Sequence, residues 1–359
     1  MKICYFHVGF HKTATTSLQQ ICGGNRDLFR EAGILYPKFA YPKEKGNQWN
    51  HSGPISQIYK QGKVKELKTE ASSNERTKNR SFNQKSFLKA LRQDGNLLLS
   101  GEALSCWPKE QYIRFLDDLD TFGYSVKALA LVRSPYSFAC SAIQETLKSG
   151  RYHPLVGING PHKTKGRGIQ RIPNRSEAIK ILQEVFGSSI NFQPFSKAIS
   201  HPQGPVAFCL EELGLPISWS SLRQESSFDS NQSLNNRQAR TINLFNKQLK
   251  INSNKNDYSK STRRLMRQGL ESLKSGRFLL TKEEFKLIEN HYNQLKKDMN
   301  TMLGPSFSEE SVQFSDPIKD TEDIMEALAR CTALLATQSP KKSRSKQPIV
   351  TEGRDYNHY

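Results

Sequence analysis

The sequence predicts an α/β protein, a central parallel β-sheet flanked by helices, and two observations carry that prediction. Short strand-like runs over residues 3–8, 33–37, 96–100, 125–132 and 190–195 alternate with stretches of helical periodicity. Strands separated by helices join as parallel neighbours with both faces covered. The first and fourth runs also end in polar, cationic loops directly before a helical pattern. Such loops lie at the carboxyl ends of strands, where open α/β sheets bind ligands.

Taken in order, residues 3–8 read as a buried strand, and Leu18, Ile21, Cys22, Phe29 and Ala32 then recur on one face of a helix. Residues 33–37 form a short second strand ended by Pro37, and 38–80 are polar and poorly periodic, a long loop region with one or two short helices. A third strand at 96–100 precedes a helix at 109–122, and the strand at 125–132 precedes a helix at 136–148. The segment 150–173, rich in Gly, Pro and basic residues, reads as a flap, 175–186 as a helix and 190–195 as the fifth strand. Helices follow at 205–213, 236–249 and 281–302, the last opened by Thr281 with Glu284 three residues on, a capping-box spacing. From Pro305 the chain turns Ser-, acid- and then Lys-rich, with one amphipathic stretch at 321–336. The division expected is a domain over 1–303 and a tail or short appended helix over 304–359.

The segment from Val8 to Leu18 holds the densest chemistry. Gly9 allows close backbone approach, Lys12 brings full charge, and Thr13, Thr15, Thr16 and Ser17 bring hydroxyls. All sit where a helix begins, so its unpaired N–H groups and dipole favour an anion. A plain capping cluster is the alternative. A Walker A loop fits poorly, because His11 rather than Gly precedes Lys12. A second motif stands at the end of the fourth strand, Arg133-Ser134-Pro135-Tyr136, with Ser141 eight residues after Arg133 on the following helix. A guanidinium forks onto phosphate oxygens and a hydroxyl adds a further bond.

Together these motifs resemble those of sulfotransferases that use 3′-phosphoadenosine 5′-phosphosulfate. In that family the first loop holds the 5′-phosphosulfate, and an Arg and a Ser at this spacing hold the 3′-phosphate. The resemblance covers about residues 1–303 and is weaker in the C-terminal half. It implies a P-loop NTPase-like sulfotransferase fold and a donor site of Gly9, His11, Lys12, Thr13, Ala14, Thr15, Thr16, Ser17, Arg133 and Ser141. The implied reaction moves a sulfuryl group to a hydroxyl, or an amine, of a carbohydrate or small metabolite. The alternatives are a nucleotide-binding protein without turnover and a P-loop kinase. A kinase strand would be expected to end in an Asp for magnesium, whereas this one ends in Arg133, and no metal is expected.

In-line transfer needs a base for the acceptor proton. Glu102, just past the third strand, and His51, in the segment after the second, are the candidates, with Lys12 stabilising charge on the departing oxygen. Glu102 is favoured as base, with His51 orienting or sharing the proton; His7, on the strand itself, reads as a core histidine.

At 359 residues, 36% hydrophobic and 24% charged, the chain is globular and can bury a large core. Neither an apolar run long enough to cross a bilayer nor a signal-peptide pattern is visible, so a cytoplasmic protein is expected. The six cysteines lack metal-ligand spacing and read as reduced core residues. The net charge of +19 is concentrated in residues 60–92 and 148–180. A polyanionic donor and an anionic acceptor account for the second of these, and no motif of nucleic-acid recognition accompanies it.

Overall fold

The computed structural model describes residues 2–39, 49–60, 62–64, 75–163, 172–223, 233–252 and 260–337. Strands β1 (Lys2–Val8), β2 (Ile34–Leu35), β3 (Asn96–Gly101), β4 (Tyr124–Val132) and β5 (Ile190–Pro194) form one sheet, parallel throughout, in the order β2-β3-β1-β4-β5. Up to β5 the helices are α1 (Thr15–Gly24), α2 (Arg26–Glu31), α3 (Ser52–Tyr59), α4 (Glu75–Arg92), α5 (Lys109–Thr121), α6 (Pro135–Lys148) and α7 (Ser176–Phe186). After it come α8 (Phe195–Ser200), α9 (Gly204–Leu213), α10 (Asn236–Asn252), α11 (Lys260–Gly269), α12 (Lys282–Lys286), α13 (Glu289–Leu303) and α14 (Glu322–Ala336).

Alternation along the strands builds a core on each face. Cys4, Phe6, Leu97, Leu99, Ala128 and Ala130 point to one side, where they meet Phe87, Phe115 and Leu182 of α4, α5 and α7. Tyr5, Leu98, Leu129 and Leu131 point to the other, against Leu18, Ile21 and Cys22 of α1 and Cys209 and Leu213 of α9. Burial on both faces explains why β1, β3 and the second half of β4 read as near-continuous apolar runs. A further core joins Tyr136, Ile143 and Leu147 of α6 to Ala239, Met266, Phe285, Tyr292 and Ala327 from α10 to α14.

The pattern expected as one helix over 18–32 is broken at Asn25. Its Nδ2 donates to the Ile21 carbonyl at 2.9 Å and its Oδ1 accepts from the Arg223 amide at 2.8 Å. The helix expected at 281–302 likewise divides between α12 and α13 at Leu287 and Ile288, while the Thr281–Glu284 capping box forms as its spacing indicates. Helices α4, α8 and α11 lie outside the helical stretches expected from the sequence, α4 beginning within the region expected as a long loop. The stretch expected at 321–336 is α14, whose Ile324, Ala327 and Cys331 are buried in the α6–α13 core. A Cβ on Gly269 would lie 2.4 Å from Cys331 Sγ, so this glycine permits α11 and α14 to meet closely.

The start of the expected flap is tied down. Asn243 of α10 accepts from the His153 amide and donates to the His153 and Val156 carbonyls, and Asn246 donates to the Leu147 and Arg151 carbonyls. Residues 164–171 of that segment, much of the 38–80 region and the tail from 338 lie outside the described residues.

Candidate active site

Because β1 lies between β3 and β4, the segments leaving all three strands converge at one edge of the sheet. The register pairs Val8 with Gly101, and the Gly9 amide donates to the Gly101 carbonyl at 3.0 Å, which sets the loop against Glu102. A Cβ on Gly9 would lie 2.6 Å from the Thr15 side chain and 3.1 Å from Glu102 Cα. No larger residue fits there without displacing one of them. Beyond Gly9 the chain turns sharply: Lys12 has φ +70° and Ala14 φ +60°. The left-handed region costs a non-glycine residue about 1–2 kcal/mol, and such strain collects where function requires a particular backbone. Thr13 Oγ1 fixes the turn by donating to the Phe10 carbonyl at 2.6 Å. Ala14 caps α1 without a side-chain bond, leaving the first amides of the helix for another acceptor.

This loop lines a cavity of about 420 Å³, whose walls include Lys12, Thr13, Ala14, Thr15, Thr16, Ser17, Glu102, Arg133 and Ser141. Arg133 Nε donates to Ser137 Oγ at 2.8 Å and Nη1 to the Lys12 carbonyl at 3.0 Å, so it braces the left-handed turn. Thr15 Oγ1 is buried without a hydrogen-bond partner. Lys12 Nζ pairs with Glu145 Oε2 at 2.6 Å. Burial raises the Glu145 carboxyl, but the Lys12 bond and charge more than offset this and hold it below the usual range. Lys148 is pushed down to about 8 by burial and by the charge of Arg267.

Glu102 and His11 form a pair, Nδ1 to Oε1 at 2.9 Å. Burial pushes the Glu102 carboxyl up, yet the hydrogen bond and charge of His11 and the charge of Lys12 bring it below the ordinary carboxylate range. His11 is raised to about 9 by hydrogen bonds to Cys106 and Glu102. At neutral pH the pair is therefore an imidazolium beside a carboxylate.

Two donor-site candidates do not line the cavity: Gly9 is packed beneath it, and His11 faces Glu102 and Cys106. His51 is not brought to the cavity. It is fully buried against Tyr36 and Phe39, its Nε2 donating to the Pro37 carbonyl at 3.1 Å and its Nδ1 accepting from the Ser100 amide at 3.3 Å. Burial lowers it to about 3, so it is neutral with both nitrogens engaged. His7 is buried too, its Nδ1 paired with Ser100 Oγ at 2.9 Å. Of the six cysteines, all free, Cys106 is exposed and the rest are buried.

Gln144, Glu145, Lys148, Phe195 and Ser233 also line the cavity and were not anticipated. The signal for three of them was in the spacing: Ser141, Gln144, Glu145 and Lys148 lie at i, i+3, i+4 and i+7, one stripe of α6. A larger hollow of about 850 Å³ between Arg237 and residues 314–320 has its Arg237 already paired with Asp323. Among the described residues, no group of three or more His, Cys, Asp or Glu is placed to hold a metal, and no helix is long and apolar enough to cross a membrane.

No protein-family model matches the chain, and no curated protein does. Among solved structures it is similar to the crystal structure of a sulfotransferase from Alicyclobacillus acidocaldarius, at 15% identity over 74% of this chain and 99% of that one, with a TM-score of 0.33.

Proposed function

We propose that the protein is a sulfotransferase moving a sulfuryl group from 3′-phosphoadenosine 5′-phosphosulfate to a hydroxyl, or less readily an amine, of a carbohydrate or small metabolite. The observation that carries this reading is the single cavity shared by the 12–17 loop and by Arg133 and Ser141, the residues of the two motifs. The residues fit such a donor. An orphaned Thr15 hydroxyl, uncapped helix amides and the cation of Lys12 suit the phosphosulfate, while Arg133 and Ser141 suit the 3′-phosphate.

The acceptor oxygen bonds to sulfur as the bond from sulfur to the bridging phosphate oxygen breaks. The electron pair leaves with that oxygen, giving 3′-phosphoadenosine 5′-phosphate. The acceptor proton passes to the Glu102 carboxylate, which stays ionised well into the acid range because His11 and Lys12 face it. Lys12, exchanging Glu145 for the donor, offsets charge on the departing oxygen. His51 acts only through position, linking Pro37 to Ser100 beside β3.

Calorimetry in the presence of a chelator tests the donor site. 3′-Phosphoadenosine 5′-phosphate should bind at least about tenfold tighter than adenosine 5′-phosphate, because each charge-assisted bond contributes about 1.5–3 kcal/mol. Equal affinities would remove the assignment of Arg133 and Ser141. Single-turnover transfer from labelled donor separates an enzyme from a binder: Glu102→Gln should lose roughly 100-fold or more in rate while nucleotide binding is retained.

A further inference from the structure

Beside Glu102 stands a guanidinium that the transfer chemistry does not use. Arg175, the residue preceding α7, lies with its Cζ 4.3 Å from the ring centroid of Phe138 and 5.2 Å from that of Phe10. Both rings are buried, one on α6 and the other at the start of the 12–17 loop, so the cation is clamped between fixed walls. Its Nη1 is shielded from solvent and has no hydrogen-bond partner. A guanidinium offers donors in a planar fork and is costly to leave unsatisfied, so this one is held ready for an acceptor that the described residues do not supply.

Its surroundings indicate where that acceptor would sit. Burial lowers the Arg175 guanidinium, the charges of Cys106 and Glu102 partly offset this, and Arg175 in turn opposes the charge on His11. No ion pair joins it to Glu102, whose Oε1 is taken by His11. The side chains of His11 and Glu102 are 47% and 31% exposed, so the cluster opens to solvent. The cluster thus gathers His11 and Arg175, with Lys12 on its other side, around one carboxylate. Arg175 does not line the cavity formed by Lys12, Arg133 and Ser141; it lines a small hollow beside that cavity, with Arg133 and Phe138.

We propose that Arg175 is an oxyanion subsite for the acceptor, selecting hydroxyl compounds that carry an acidic group near the hydroxyl presented to Glu102. The planar fork and the half-buried position suit a carboxylate, sulfate or phosphate, which it can grip bidentately. This rests on the sulfotransferase reading for the identity of the reaction, but not for the binding of the acid.

The test uses the full-length protein with and without 3′-phosphoadenosine 5′-phosphate, and ligand-observed NMR with glucose, glucuronate, glucose 6-sulfate and glucose 6-phosphate. At least one acidic sugar should bind roughly tenfold or more tighter than glucose, and the three acids rank the preferred oxyanion. Arg175→Gln should erase that preference while nucleotide affinity stays within about twofold. Arg175→Lys, which keeps the charge and loses the fork, should retain part of it and carries the decision if the Gln variant does not fold. Equal binding of acids and glucose by the wild-type protein, or a preference that survives in Arg175→Gln or stays undiminished in Arg175→Lys, would overturn the subsite. Failure of the nucleotide to bind would instead remove the sulfotransferase reading, leaving the sugar comparison readable in its absence.

Discussion

Two charged clusters in this molecule have opposite constructions. Arg240 of α10 and Glu284 of α12 are both fully buried, joined at 2.6 and 3.0 Å. Arg240 also donates to Asn236 Oδ1, to the Leu279 and Gly157 carbonyls and to Ser315 Oγ, and Glu284 accepts from the Thr281 and Gly157 amides. The charges are used in joining four separate stretches of chain. At the cavity, the Lys12–Glu145 pair is 31% and 53% exposed, Thr15 Oγ1 has no partner, and Lys12 and Ala14 hold left-handed backbone. The first cluster is sealed and saturated, the second strained and incomplete. An ion pair therefore indicates little about function until its burial and its remaining hydrogen bonds are known, because only the second arrangement can exchange a protein partner for a ligand.

The comparison is broken most directly by removing one partner from each cluster. Arg240→Ala strands a buried carboxylate and should cost about 3–5 kcal/mol of stability, read from the denaturant midpoint. A loss of less than about 1 kcal/mol, the range of exposed pairs, would make the two clusters alike. Lys12→Ala should do the reverse: stability within about 1 kcal/mol of wild type, and turnover of the saturated enzyme down by roughly 100- to 1000-fold, the scale for losing a preorganised partner of developing charge. Weakened nucleotide binding with turnover intact at saturation would move Lys12 from the reaction to mere attachment.

The middle of the sheet is legible because β1, β3 and the second half of β4 are buried on both faces and so appear as near-continuous apolar runs, and the Lys12 and Arg133 loops are legible because they terminate such runs. His51 is not. Sequence displays an imidazole in a polar stretch, but not that Pro37 and Ser100 occupy both nitrogens between two aromatic rings. The role of His11 was equally hidden, since its partner Glu102 is distant in sequence and only the β1–β3 register joins them. Helix α11, with Arg263, Arg264 and Arg267 in ten residues, is too polar to suggest burial, although Met266 reaches the core. The spacing of Glu284 from Thr281 marks it as part of a capping box, and it is. Its second role depends on Arg240, 44 residues away.

The smallest effect, and the finest probe of the incomplete cluster, is pH. Lys148 lies in the cavity wall with burial and Arg267 lowering it to about 8, so its ammonium is charged below that pH and is lost as pH rises through it. A bound polyanion favours the charged form and should raise the value. Binding of 3′-phosphoadenosine 5′-phosphate must then take up protons around and above pH 8, and affinity must fall as pH climbs from 7 to 10. The fall should amount to a few-fold to tenfold, because a partly exposed cation contributes less than a buried one. The nucleotide's own phosphates, with second ionisations near pH 6, are already charged throughout this window and add no slope. Lys148→Met keeps most of the apolar stem and removes the titrating group, so its affinity should start lower at pH 7 and change less toward pH 10. Calorimetry in two buffers of different ionisation enthalpy reads the proton uptake directly. An unchanged slope in Lys148→Met would mean that the titrating cation lies elsewhere and that the α6 stripe meets the donor without this residue.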